Sequence, residues 1–279
     1  GDTLAEAAAF ARDLAAKENL VFVHPYDDPA IIAGQGTLAQ EMLADVPELD
    51  TLVVPVGGGG MIAGCVVAAR AMKPGIDIFG VEVEAFSAAA QRKAGRPVQT
   101  GGPTIAEGIA VADIGKLCWP VIERDVREVL VVDELEVERA IVLLIEIEKT
   151  VAEGAGAAGL AAVLAHPERF RGRKVGLVLC GGNIDTRVLS SVLLRGLARD
   201  GRLLRLSIDI ADKPGALGDL AHRIGICGGN IVEIEHQRIF TEKSAKSVVV
   251  ETTVEVVDRA AGEKLVSDLK DAGYPSRPL

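Results

Sequence analysis

The sequence lacks several features that would assign it quickly to a class of protein. No apolar run approaches the roughly 18 residues that a membrane-spanning helix needs, and the first residues lack the basic and apolar regions of a secretory signal. There is no block of basic residues and the formal net charge is −10, which argues against a nucleic-acid or anionic membrane surface. The four cysteines are scattered without a C-x-x-C pair, so we expect no metal site and a reduced, cytoplasmic setting.

The first part of the chain has the pattern of an α/β domain. Apolar runs predict strands, helical patterns separate these runs, and this alternation is typical of a parallel sheet covered by helices. The predicted strands are 20–24, 51–56, 76–83, 128–132 and 174–180, and the domain is predicted to span 1–198.

The order of elements changes after a predicted linker at 199–202. Residues 203–279 read as β-α-β-β-α-β, which is the ferredoxin-like order, with a turn at 212–215 before the first helix. A second, smaller domain is therefore predicted over 203–279, including a strand at 231–240.

Four consecutive glycines, Gly57, Gly58, Gly59 and Gly60, stand between an apolar strand and a helix that begins near Met61. Holding each glycine in one conformation costs roughly 0.5–1 kcal/mol relative to alanine. Bare backbone lets a ligand approach closely, and the N–H groups of a helix N-terminus suit a phosphate. The spacing matches neither G-x-G-x-x-G nor G-x-x-x-x-G-K-[ST], so a dinucleotide or nucleoside triphosphate is not predicted. The alternative is a flexible turn that binds nothing.

Further short motifs accompany these glycines in a fixed order. They are His24-Pro-Tyr-Asp-Asp-Pro29, Ile32-Ala-Gly-Gln-Gly-Thr37 with Glu41, Val81-Glu82, Thr104-Ile-Ala-Glu-Gly-Ile-Ala-Val111, Glu153-Gly-Ala-Gly-Ala157 and Cys180-Gly-Gly-Asn183. Together they resemble the pyridoxal-phosphate enzymes of fold type II, the tryptophan-synthase-β-like group, and most closely the threonine ammonia-lyases (threonine dehydratases). The tail resembles an ACT domain, an amino-acid-binding module, through Asp212-Lys-Pro-Gly-Ala-Leu217 and Asn230-Ile231.

The resemblance implies pyridoxal 5′-phosphate as cofactor and assigns roles to residues. The glycines Gly57 to Gly60, with Met61, match the loop that holds the cofactor phosphate, and Cys180 matches the residue that faces the pyridine nitrogen. A neutral thiol would not hold that nitrogen protonated, which suits β-elimination better than transamination. Read without the resemblance, Cys180 is a small buried residue that ends a strand. Residues expected to line the cofactor site are Glu107, Gly108, Glu153 and Asn183.

One element of the family pattern is missing. The family forms a Schiff base between the cofactor and a lysine that lies upstream of the tetraglycine loop, but the only lysine before Gly57 is Lys17, in a different context. The first residues resemble the middle of the family chain. The sequence is therefore expected to be an N-terminally truncated fragment without its Schiff-base lysine, and to be inactive by itself.

The resemblance implies a threonine ammonia-lyase, which converts threonine to 2-oxobutanoate and ammonia. A serine ammonia-lyase or serine racemase is the alternative, although such racemases carry a metal site that begins at the glutamate matching Glu82. Here Ala88 stands where a further acidic residue is needed. A non-catalytic amino-acid sensor is a third possibility.

The tail is expected to be regulatory and to make the protein allosteric. We expect it to bind an amino acid, isoleucine or valine, with Pro214 and Gly215 near the carboxylate and Asn230 near the amino group. Because such sites often lie between paired modules, the protein is expected to form a homo-oligomer. Its partners are then small amino acids, as substrate and effector.

Overall fold

The computed structural model describes residues 4–237, 244 and 246–279. The chain divides into two compact units, Gly1–Ile184 and Asp185–Leu279. This division comes one helix earlier than the predicted linker at 199–202, because that helix contacts the first strand of the second unit. In the described part of the chain, no helix is both long enough and apolar enough to cross a membrane.

The first unit alternates helices and strands. Its helices are α1 (Leu4–Glu18), α2 (Pro29–Asp45), α3 (Gly60–Met72), α4 (Ala88–Lys93), α5 (Cys118–Asp125), α6 (Glu134–Leu143), α7 (Gly154–Ala165) and α8 (Pro167–Phe170). Its strands are β1 (Thr51–Pro55), β2 (Asp77–Val83), β3 (Glu128–Val132) and β4 (Val175–Leu177). A 3-10 turn (Glu107–Ile109) follows α4, and a π-helical turn (Leu144–Glu148) extends α6.

The four strands form a parallel sheet in the order β3-β2-β1-β4. Every residue of β1 is buried, which explains why its sequence is a continuous apolar run instead of an alternation. Helix α7, built mainly of glycine, alanine and leucine, packs across β1, β2 and β3. The parallel sheet confirms the predicted α/β fold.

The predicted strand at 20–24 is wrong. These residues form no strand in the structure, they pair with none of the described strands, and Val21 is 90% exposed. An apolar run becomes a strand only when a neighbouring strand satisfies its backbone N–H and C=O groups.

Helices α2 and α3 pack together at unusually close range. Helix α2 starts where the Asp28 carboxylate accepts hydrogen bonds from the amides of Ala30 and Ile31, with Pro29 in its first turn. At the crossing, a Cβ on Gly64 would stand 2.7 Å from the Gly36 nitrogen and still closer to the Ile32 carbonyl oxygen. Only glycine at 64 therefore permits this approach.

Helix α5 closes one side of the core of the first unit. Its Ile122 is fully buried, and Trp119, the only tryptophan in the sequence, packs against the same core. The Arg92 guanidinium lies 5.4 Å from the ring centre of Trp119.

The second unit begins with α9 (Thr186–Arg199). It continues with β5 (Leu203–Ala211), α10 (Ala216–Ile226), β6 (Asn230–Gln237), β7 (Ser247–Glu255), α11 (Arg259–Asp271) and β8 (Ser276–Pro278). The sheet order is β6-β7-β5-β8 with antiparallel neighbours, which confirms the predicted ferredoxin-like arrangement. Its own core includes the fully buried Leu206, Ile208, Leu220, Ile224 and Leu265. The part of the predicted strand 231–240 beyond Gln237 lies outside the described residues.

Candidate active site

The candidate site lies where the order of strands in the sheet of the first unit changes direction. Successive strands β1, β2 and β3 are added in one direction, but β4 pairs with the opposite edge of β1. The segments that follow β1 and β4 therefore leave the same edge of the sheet side by side. In open α/β sheets, such a switch point at the carboxyl ends of the strands is where ligands bind.

A cavity of about 360 Å³ lies at this edge. It is lined by seven segments: Pro25 and Tyr26, Ile31 and Gln35, Pro55, Gly57 to Met61, Gly108 with Ile109 and Val111, Glu153 with Ala155, and Cys180. The size falls within the roughly 300–1,000 Å³ of typical small-molecule sites. Of the residues predicted to bind the cofactor or to line its site, the structure brings together all four glycines, Met61, Gly108, Glu153 and Cys180. The predicted residues Glu107 and Asn183 do not line this cavity, and both are exposed.

The tetraglycine loop places a helix N-terminus at the cavity. Gly59 has φ +95°, in the left-handed region, and precedes the first residue of α3. No side chain caps this end of α3, so its first-turn amides are not used by a capping group. Gly60 and Met61, at the start of the helix, line the cavity. These amides and the helix dipole form a site for an anion.

Tyr26 is a cavity residue that sequence reasoning did not assign. Its ring lies directly against the Cα of Gly58, and a Cβ on Gly60 would stand 2.6 Å from the Tyr26 carbonyl oxygen. The ring also meets His24 edge to face, with centroids 4.7 Å apart. In the sequence, only its position within the motif 24–29 pointed to a role for Tyr26 in the site. Gly58 and Gly60 are therefore needed for packing against Tyr26.

Glu153 connects the other walls of the cavity. Its amide donates to the Gly181 carbonyl at 3.1 Å. Its side chain lies against two glycines. A Cβ on Gly108 would stand 3.0 Å from the Glu153 Oε1, and a Cβ on Gly181 would stand 2.8 Å from the Glu153 Cδ. These contacts place the carboxyl group of Glu153 beside the segment that carries Cys180.

Cys180 lines the cavity as a neutral thiol. Its Sγ lies 3.6 Å from the Ala155 carbonyl oxygen, to which the thiol donates a weak hydrogen bond. The side chain of Cys180 is exposed at the cavity, but desolvation by the surrounding protein atoms raises its pKa, and the negative charge of Glu153 raises that pKa further.

Glu82 belongs to one of the sequence motifs of the family, but it does not line the cavity. Its carboxylate instead binds backbone amides at the start of α4. It is 1% exposed at the end of β2, and its two oxygens accept hydrogen bonds from the amides of Ala89 and Ala90, each at 2.8 Å. Burial raises the pKa of Glu82 to about 7, although the two amide bonds favour the ionised form. In the described residues no cluster of potential metal ligands includes it.

The raised pKa of Glu82 predicts a pH-dependent stability. The Glu82 carboxyl group has a pKa of about 7 in the folded state and 4.5 in the unfolded state, so it stays protonated to a higher pH when the protein is folded. The free energy of unfolding therefore falls as the pH rises between these two values. Between pH 5 and pH 7 the loss should be about 2 kcal/mol. Urea denaturation at a series of pH values would measure it, with Glu82→Gln lacking this component. The exposed Glu84→Gln is the control; an identical pH slope in native protein and Glu82→Gln would contradict the prediction.

The residues predicted to hold an effector do not meet within one chain. Pro214 and Gly215 follow the end of β5, whereas Asn230 pairs with Glu255 at the end of the sheet where β5 begins. Strand β5 has 9 residues, so these ends are roughly 25 Å apart. Asn230 Nδ2 instead lies 3.4 Å from an oxygen of Glu255. A site that uses all three residues therefore cannot form within a single copy.

The comparisons with known proteins agree with this geometry. The family model "pyridoxal-phosphate dependent enzyme" matches residues 1–181, so the chain belongs to the family of pyridoxal-phosphate-dependent enzymes. Within that family its relatives include threonine ammonia-lyases. Those of Thermotoga maritima and Geobacter sulfurreducens are 38% and 40% identical to it, covering 99% and 98% of this chain and 69% of each relative.

Solved structures show the same fold. A threonine deaminase from T.th. is 36% identical, with a TM-score of 0.62, and the match covers 66% of this chain and 62% of that one. Maize serine racemase is 34% identical, with a TM-score of 0.63, over 70% of this chain and 62% of its own. The chain thus spans less than two thirds of the length of these solved chains.

The cavity fits the pyridoxal phosphate that this family uses. The glycine loop offers backbone without side chains, and the uncapped start of α3 offers amides and a positive dipole end to a phosphate. Cys180 adds a neutral thiol to the lining. No lysine is among the residues that line the cavity in the described part of the chain.

Proposed function

We propose that this chain carries the cofactor-binding part of a threonine ammonia-lyase, which converts L-threonine to 2-oxobutanoate and ammonia. One observation carries the proposal. The two threonine ammonia-lyases match 99% and 98% of the chain, the second unit included, whereas the serine racemase of Arabidopsis thaliana matches 59%.

In this proposal each wall of the cavity has a separate task. The amides of Gly57 to Met61 hold the phosphate, and the dipole of α3 offsets its charge without a basic side chain. Cys180 faces the ring nitrogen as a neutral group. When bound, pyridoxal phosphate supplies an electron sink for the charge that develops at the substrate α-carbon. Ile109 and Val111 add apolar surface, which limits the access of water.

We propose that the base in the reaction is a lysine, which these walls do not supply in the described part of the chain. Threonine must lose its α-proton and its β-hydroxyl; the water released in this elimination is balanced by the water taken up when ammonia is released. The thiol of Cys180 is held neutral and the described lining contains no lysine, so we expect a lysine from outside these residues to act. The 279-residue chain alone should therefore not turn over threonine.

A serine racemase is the second candidate, because maize serine racemase has a similar structure. Two features disfavour it. Both carboxylate oxygens of Glu82 already accept hydrogen bonds from the amides of Ala89 and Ala90, and residue 88 is alanine, whose side chain offers no ligand to a metal.

The test is a chimera in which the part of the Thermotoga maritima lyase outside the match is joined to this chain. With pyridoxal phosphate, it should form 2-oxobutanoate from L-threonine, while the 279-residue chain should not exceed the free-cofactor control. Formation of D-serine from L-serine without threonine turnover would favour the racemase. Turnover by the chain alone would contradict the assignment of an outside lysine.

We further propose that the second unit is an ACT-type regulatory module. The support is its ferredoxin-like sheet and the match of both lyases through this unit. Since Pro214–Gly215 and Asn230 lie at opposite ends of the sheet, a site that uses both requires two copies, which would couple effector binding to self-association. In the same chimera assay, isoleucine or valine should change the rate at which 2-oxobutanoate forms. If neither amino acid changes this rate, the second unit has only a structural role.

A further inference from the structure

Asp27 makes several contacts with a segment far away in sequence. One oxygen accepts a hydrogen bond from the Leu117 amide at 2.8 Å, and the other accepts from the Lys116 amide at 2.9 Å. The Cys118 thiol lies 3.6 Å from the same carboxylate. A Cβ on Gly115 would stand 2.6 Å from the Asp27 Cγ, so this residue must be glycine for the carboxylate to fit. Asp27 thereby fixes the segment 115–118.

The segment 115–118 in turn contacts the tetraglycine loop. The Gly115 amide donates to the Gly58 carbonyl oxygen at 2.9 Å. The Cβ of Cys118 would be 2.9 Å from a Cβ on Gly59, so the segment lies directly against the residue with the left-handed conformation. The segment therefore supports the loop through contacts separate from the ring contact between Tyr26 and Gly58.

The turn that contains Asp27 is itself held in shape. His24 Nδ1 accepts hydrogen bonds from the amides of Asp27 at 2.9 Å and Tyr26 at 3.3 Å. Tyr26 contacts Gly58 and Gly60 directly. One turn, 24–27, thus reaches the loop by two routes, one direct and one through 115–118.

We propose that Asp27 is a positioning residue for the cofactor phosphate: by fixing 115–118, it holds the tetraglycine loop in its binding conformation. The inference rests on the proposed function, since it assumes that the loop binds the phosphate. Although partial burial acts in the opposite sense, the amides of Leu117 and Lys116 hold the pKa of Asp27 below its ordinary value. Burial and the neighbouring Asp27 charge raise the pKa of Cys118 to about 12, so this thiol stays a donor to the carboxylate.

The neighbouring Asp28 provides a matched control. Its carboxylate also accepts two amide hydrogen bonds, from Ala30 and Ile31, but these cap α2 and involve neither the loop nor 115–118. Loss of either carboxylate removes two amide hydrogen bonds, and loss of Asp27 also removes the contact with the Cys118 thiol. Only loss of Asp27 should change the loop.

The experiment measures binding of pyridoxine 5′-phosphate to the full 279-residue chain by equilibrium dialysis. This probe has the phosphate and ring of the cofactor but an alcohol in place of the aldehyde, so it cannot form adducts with surface lysines. Asp27→Ala should raise Kd by about tenfold or more, and Asp28→Ala by less than about twofold. Asp27→Asn, which keeps one acceptor oxygen, should recover part of the affinity. The free energy of unfolding of each variant is measured in parallel, because a merely structural role would lower stability in both Asp27→Ala and Asp28→Ala without separating their affinities.

The possible failures are distinct. Equal affinity of native protein and Asp27→Ala, or equal losses in Asp27→Ala and Asp28→Ala, would overturn the positioning role while leaving the cofactor site standing. If Asp27→Ala does not fold, unchanged affinity in Asp27→Asn would overturn the positioning role in the same way. No binding by the native chain would overturn the cofactor assignment of the loop, and this inference with it.

Discussion

Replacing Gly64 with alanine should destabilise the first unit by at least about 3 kcal/mol. The added methyl group would stand 2.7 Å from the Gly36 nitrogen and closer still to the Ile32 carbonyl oxygen. Both are backbone atoms of α2, so neither can turn aside as a side chain would. Helices α2 and α3 would have to separate. Because Ile31 and Gln35 on one helix and Met61 on the other line the cavity, the separation should also enlarge the site.

Urea denaturation followed by circular dichroism would measure the effect. Gly34→Ala is the matched control, because it makes the same chemical change in the same helix pair with no atom within 4 Å of the new methyl group. Gly34→Ala should stabilise the protein by about 0.5–1 kcal/mol, since alanine loses less backbone entropy in a helix. Equal shifts for Gly34→Ala and Gly64→Ala would show that the helices do not pack this closely.

Replacing Gly59 with valine should weaken binding of pyridoxine 5′-phosphate by about a hundredfold, equivalent to about 3 kcal/mol. A β-branched residue is strained at the φ of +95° that Gly59 adopts. Its Cβ would also lie 2.9 Å from the Cβ of Cys118 and 2.9 Å from the Cδ1 of Ile122. The loop would therefore shift, and the first-turn amides of α3 would move with it. Calorimetric titration of native and variant chains would give the two affinities.

The control is Gly95→Val. Gly95 has φ +64°, so valine is strained there as well, but no atom lies within 4 Å of the new Cβ and the residue does not line the cavity. The Gly95→Val variant should therefore be less stable than the native protein but should bind pyridoxine 5′-phosphate with the same affinity. Gly59→Ala gives a second reading if Gly59→Val does not fold. Native affinity in both Gly59 variants would place the phosphate elsewhere.

The buried strands could be predicted from sequence because burial on both faces leaves an uninterrupted apolar run. The predictions 51–56, 76–83 and 128–132 correspond to β1, β2 and β3 within a residue or so at each end. The prediction 174–180 was too long, since β4 ends at Leu177 although the apolar residues continue. The strand predicted at 20–24 failed for a related reason: composition does not reveal whether a pairing partner exists.

Some residues of the site could be predicted from their immediate neighbours in the sequence, whereas others depend on contacts with distant segments of the chain. The glycines could be assigned from their position between β1 and α3, whereas Cys180 was assigned only through the family resemblance; the structure shows that both follow paired parallel strands. Glu107 adjoins the lining residue Gly108, and Asn183 lies three residues after Cys180, but the side chains of both are exposed and do not line the cavity. The sequence motif does not reveal in which direction each side chain points. The contacts of Asp27 could not be predicted, because its partners lie 89 and 90 residues further along the chain.

The position of Trp119 gives the molecule a built-in optical probe. The indole belongs to the core of the first unit, and the unit Asp185–Leu279 contains no other tryptophan. Its fluorescence during unfolding therefore follows the first unit alone, whereas the far-ultraviolet signal follows both units. Two separate midpoints would reveal units that unfold independently. Trp119 also directly follows Cys118, the neighbour of Asp27 and Gly59, so its emission should respond when the glycine loop takes up a ligand.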